Sequence, residues 1–209
     1  MTELWKQTIT GRAFPLTGFS AVDVDLFNDV AEGLARICRF GGHVPGNPYS
    51  VAQHCVVGAD AAIEETGDAN LAAYFLLHDA HETIVDDITT PVAKWFARIA
   101  DELYGGTASG MVETVIATAK ARLDAAIWRA AGLPPPGKTY RAQIAELDMR
   151  MLATEQRQLL MPPPKSWGKQ IDAARPIRMR GGLTAWPVAK AADAYRERLA
   201  QLCPNARRV

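Results

Sequence analysis

Apolar residues recur along this chain at three- and four-residue intervals, the spacing of one face of a helix. The first stripe is Val24, Phe27, Val30, Leu34 and Ile37, with Asp23 or Asp25 placed to cap it and Arg39-Phe40-Gly41-Gly42-His43 to end it. A loop with Pro45 and Pro48 follows, and Ser50 caps a helix over residues 51–65. A third helix is predicted from Asn70 to about residue 85. Thr90-Pro91 reads as a fresh start, with threonine capping and proline in the first position. That fourth helix points Val92, Trp95, Phe96 and Ile99 inward and breaks at Gly105-Gly106. Further helices are predicted over residues 111–131, 140–160 and 187–202, the second with Ile144, Leu147, Met151 and Leu152 on one side. Residues 2–17 carry short alternating runs with Gly11 and Pro15, which read as an extended arm or small hairpin. Residues 165–182 read as a long loop. The expectation is an all-α helical bundle: a short arm over 1–22, a domain over 23–160, and a loop and closing helix over 161–209 packed on that domain.

Composition narrows the function classes. With 209 residues and 48% hydrophobic content the chain can build a sizeable core without staples. Formal net charge is zero and no basic stretch is long, so a nucleic-acid polymer is not an expected partner, whereas a small anion is compatible. The three cysteines, Cys38, Cys55 and Cys203, show no Cys-x-x-Cys spacing and fit small core residues in a reducing compartment. The first twelve residues lack a signal-peptide core and no run approaches 18 apolar residues, so a soluble cytoplasmic protein without a membrane partner is expected.

Candidate chemistry concentrates after the apolar run 72–77. Residues 78–87 hold two histidines, three aspartates and a glutamate. Ionisable groups seldom occupy the buried end of an apolar helix without a partner, and neutral imidazole with carboxylate suits a divalent cation. His78 and Glu82 are four apart and share a helix face, whereas Asp79 is turned roughly 100° away. All four histidines, His43, His54, His78 and His81, fall within the first half of the chain, and singly each is better explained as a surface or satisfied core residue. Together, His54 at one helix start, His78-Asp79 at another helix end and Asp148 on a later helix allow three helices to converge on one ion.

Five blocks, Arg39-Phe40, Tyr49-Ser50-Val51-Ala52-Gln53-His54, His78-Asp79-Ala80-His81-Glu82, Asp87-Ile88-Thr89-Thr90-Pro91 and Leu147-Asp148, resemble in order the HD-domain metal-dependent phosphohydrolases. The most similar branch is that of the bacterial 5′-deoxynucleotidases and the related dATP triphosphohydrolases of some bacteriophages. The resemblance implies that His54, His78, Asp79 and Asp148 hold one divalent transition metal ion, cobalt, manganese or zinc. It implies catalytic roles for Glu82 and Asp87, a phosphate contact for Arg39, and a sugar or base contact at Phe40, where relatives can place tryptophan. Lys94 is a candidate second phosphate contact, and His43 can line the pocket mouth or serve its loop. The expected reaction is release of phosphate from deoxynucleoside monophosphates. Release of triphosphate from a deoxynucleoside triphosphate is the alternative, and a non-catalytic metal- or nucleotide-binding protein is the reading from another class. A homo-oligomer, dimer or larger, is implied as well. His81 is assigned a structural role, Asp86 a solvated one, and Trp95, Phe96, Trp128 and Trp186 to the core. Arg175, Arg178 and Arg180 are read as surface charges, one of which a folded-over loop can bring to a phosphate.

Overall fold

The computed structural model describes residues 3–179 and 181–209; Arg180 lies outside them. An antiparallel hairpin comes first, β1 (Trp5–Gln7) and β2 (Ala13–Pro15), with Lys6 opposite Phe14. One π-type turn (Leu26–Val30) runs into α1 (Ala31–Leu34), and a tight turn (Arg39–Gly42) leads to α2 (Val51–Thr66) and α3 (Ala69–Leu77). Then come α4 (Glu82–Val85), α5 (Thr90–Tyr104), α6 (Ala108–Ala130), α7 (Lys138–Leu159), α8 (Lys169–Ala173) and α9 (Val188–Leu202). The fold is an all-α bundle, as the periodicity predicts.

Caps set the starts. Asp25 accepts the Asn28 N–H at 3.0 Å, and Ser50 accepts that of Gln53 at 3.2 Å. Asp68, not Asn70, caps α3, accepting from the N–H groups of Asn70 and Leu71 at 2.9 and 3.0 Å. Gly67, at φ +69°, closes α2 in the left-handed conformation that favours glycine. Gly67 and Asp68 are the whole link, which makes α2 and α3 antiparallel neighbours. Their separation is set at Gly58, where an added Cβ would stand 2.0 Å from Phe75 Cε1. On α9, Ala191, Ala192, Tyr195 and Leu199 are buried in contact with α1, α2 and α3, so the closing helix belongs to the core.

The N-terminal hairpin is docked. Thr10 donates its N–H and hydroxyl to Asp29 at 3.1 and 2.7 Å, and Lys6 donates to the Ile84 carbonyl at 2.9 Å. It thereby braces the end of α4, next to the ionisable stretch.

Three expectations are corrected. The predicted third helix does not continue unbroken to residue 85. After Leu77 the backbone tightens to three-residue hydrogen bonds, Ala80 N–H to Leu77 O at 3.1 Å and Glu82 N–H to Asp79 O at 2.9 Å, before α4 forms. Trp95 and Phe96 are not core residues: they are 58% and 45% exposed. α5 meets α6 and buries only the small residues Ala97 and Ala100, leaving its aromatic side in solvent. Periodicity reports an apolar face, not whether this chain covers it. Trp128 and Trp186 do pack, partly buried, against the core. Finally, residues 165–182 are no plain loop, because they contain α8 and are tied to α7 by Ile177 N–H to Thr154 Oγ1 at 3.0 Å.

Candidate metal centre

The close α2–α3 approach brings His54, in the first turn of α2, against His78, at the end of α3. Their rings lie 5.2 Å apart, both packed near Phe75. Each ring is fixed from behind. His54 Nδ1 is 2.6 Å from Glu155 Oε1, and His78 Nδ1 is 2.6 Å from the Phe75 carbonyl. Donating both Nδ1 protons outward leaves the two Nε2 lone pairs facing each other at 3.4 Å.

Carboxylates complete the ring of acceptors. Asp148 Oδ1, from α7, is 3.3 Å from His54 Nε2 and 3.8 Å from His78 Nε2. Asp79 Oδ2 is 3.1 Å from His78 Nε2 and 3.7 Å from His54 Nε2. Tightening of the backbone after Leu77 lets the adjacent His78 and Asp79 reach one place, which a regular helical phase would oppose. Ligand bonds of roughly 2.0–2.2 Å in a tetrahedral site place donors about 3.3–3.6 Å apart, so these spacings fit a divalent ion. His54, His78 and Asp148 form one set whose ligand atoms lie within 4.8 Å of one another; Cys55, His78 and Asp79 form another. Burial pushes the Cys55 thiol up to about 11, so it stays neutral beside the site.

The electrostatics say the same. Burial works against charge on His54 and His78, yet neighbouring carboxylates outweigh it and raise both pKa values: Glu155 and Asp148 for His54, Asp79 and Asp148 for His78. Burial would raise Asp79 and Asp148, but the histidines hold both below the ordinary carboxylate range. A proton is thus attracted to the place a cation would take.

Around this centre the predicted residues divide. Arg39, 11% exposed at its side chain, gives Nε and Nη2 to Glu155 Oε2 at 3.1 and 3.0 Å and places Nη1 3.5 Å from Asp79 Oδ2. Glu82 is buried, and burial first, then the charges of Asp79 and Asp87, push its carboxyl up to about 9. Burial and Asp79 also raise Asp87, against the pull of Arg39 and Lys120. Phe40, held at φ +58°, has its ring 6.0 Å from that of Trp167. His43, at the end of the Arg39–Gly42 turn, and Lys94, on α5, are both exposed. Asp86 is solvated, 74% exposed at its side chain, as its place in the sequence suggests. Arg175 and Arg178 line an open depression of about 650 Å³ with Glu65 and Arg150.

Four residues escaped the sequence reading. Glu155 lies two turns beyond Asp148 on the same helix face, a spacing that could have flagged it. Asp124 contacts His81, Lys120 acts on Glu82 and Asp87 from α6, and Trp167 reaches Phe40 from the segment before α8. No local motif marks those three.

No family model matches the sequence. The chain is 30% identical over 164 residues to uncharacterized protein YfdR of Escherichia coli, covering 77% of this chain and 75% of YfdR. It is 33% identical over 114 residues to uncharacterized protein RCAP_rcc00048 of Rhodobacter capsulatus, covering 49% of this chain and 56% of that protein. With three quarters of YfdR spanned, the chain belongs to the family of that Escherichia coli protein.

Proposed function

We propose that this chain is a divalent-metal-dependent phosphohydrolase of the HD type, acting on nucleotides as a 5′-deoxynucleotidase and assembled as a homo-oligomer. One observation carries the reading: the two Nε2 atoms lie 3.4 Å apart and each 3.1–3.8 Å from Asp79 Oδ2 and Asp148 Oδ1. The donor set, two imidazoles and two carboxylates, suits cobalt, manganese or zinc. Such an ion supplies charge to a phosphate oxygen and makes hydroxide available near neutral pH.

The chain's own groups then have defined tasks. Glu155 fixes the His54 tautomer and aims Arg39, whose Nη1 offers a donor to phosphate. Glu82 holds a proton near neutral pH in the ion-free chain, and its carboxyl would fall toward the range of a base with a cation held at Asp79. Asp87, raised by burial and by Asp79, would position the water or protonate the leaving oxygen. Phe40 and Trp167 offer an aromatic surface for sugar or base. The alternative, attack on a deoxynucleoside triphosphate, is favoured by Lys120, a second cation near Glu82 and Asp87.

The deciding experiment strips the protein with chelator, restores cobalt, manganese or zinc, and analyses products from each deoxynucleoside mono- and triphosphate. Orthophosphate from monophosphates is the expected result, lost in Asp79→Ala. Triphosphate release selects the alternative. Ion binding without turnover of any nucleotide defeats both and leaves a binding protein.

A further inference from the structure

Asp79 belongs to a second set of converging ligands. Asp79, His81 and Glu82 each bring one ligand atom within 4.8 Å of the others. His81 and Glu82 are 5% and 4% exposed. His81 Nδ1 is 2.9 Å from Asp124 Oδ1, so the ring donates there and Nε2 keeps the lone pair. That Nε2 is buried with no hydrogen-bond partner, and so is Glu82 Oε2. A buried imidazole nitrogen without a donor is costly, and a histidine held by a carboxylate through one nitrogen with the other free is arranged as a metal ligand. By sequence His81 reads as structural; its contact with Asp124, from α6, is what changes that.

We infer that Asp79, His81 and Glu82 form a second divalent-cation site, joined to the first through Asp79 and oriented by Asp124. Asp79 Oδ2 faces His54 and His78, which leaves Oδ1 for the second ion. One imidazole and two carboxylates suit manganese, and paired ions sharing a carboxylate are a known device for clamping a phosphoryl group. Occupancy turns Glu82 from a proton carrier into a ligand, which revises one step of the proposed function. The site itself does not depend on nucleotide chemistry.

The test uses the full chain without substrate. Chelator-stripped wild type, His81→Ala and Asp124→Asn are equilibrated with Mn²⁺, ions per chain are counted by elemental analysis, and spin coupling is read by electron paramagnetic resonance. Two coupled ions per wild-type chain and one in His81→Ala are expected. Asp124→Asn, a conservative change that keeps the fold if His81→Ala does not, weakens only the second ion, by about tenfold or more. A single ion in saturated wild type, two ions retained in His81→Ala, or an unaltered second ion in Asp124→Asn overturns the inference. A failed nucleotidase assay leaves the ion count unaffected, so the two readings fail separately.

Discussion

Glu82 shows what the site costs at the scale of one residue. Its carboxyl moves from 4.5 to about 9 on folding, through burial and the neighbouring Asp79 and Asp87. The folded chain therefore holds a proton that the unfolded chain releases between those two values, so without metal this group lowers stability progressively as pH rises through that window. Glutamine cannot ionise. Glu82→Gln is expected to lose turnover about 100-fold or more while melting higher than wild type in chelator, with the gap widening from about pH 5 to 9. Melting curves across that range check it, and a gap that stays flat with pH rules out a raised carboxyl at Glu82.

Among the elements, the α2–α3 pair decides whether a centre exists. Gly58 lets the helices close until Phe75 packs against both histidines. Gly58→Ala forces them apart; a cost of about 1–3 kcal/mol is expected, with Mn²⁺ affinity falling about tenfold or more. Calorimetric titration measures the second effect, and unaltered affinity would show that the approach does not set the centre. Much of this was legible in the sequence. Ser50, the apolar run before His78 and the stripe around Asp148 announce the helices that present these groups. What escaped depends on contacts distant in sequence: Glu155 meets Arg39 and His54, and Asp124 meets His81, across different helices. Asp68 was missed for a local reason, since it lies one residue before a helix start that Asn70 also suits.

Seen as a whole molecule, the chain leaves large apolar side chains in solvent on the paired helices α5 and α6. Trp95 and Phe96, exposed on α5, stand with Val92, 38% exposed, and α6 adds Met111 and Val115, 67% and 68% exposed. Soluble monomers seldom leave such a patch uncovered. If a second copy covers it, as the proposed homo-oligomer requires, the wild-type melting temperature rises with protein concentration and that of Trp95→Lys does not. A wild-type melting temperature independent of concentration returns these residues to solvent. Among the described residues, no helix is long and apolar enough to cross a membrane.

The bond between His54 and Glu155 joins positions 101 apart in the chain. Peeling α7 away would strand Arg39 and Glu155, both deeply buried, without their partners, so this end of α7 opens only when the α2–α3 core opens with it. α5, which buries only Ala97 and Ala100, holds fewer buried anchors and is expected to open first, whereas Leu123, Ala126 and Ile127 tie the later part of α6 to the core. His54, His78 and Asp148 are thus expected in the slowest-exchanging unit of the protein, which amide hydrogen exchange checks. Local opening of α5 then need not loosen the histidines.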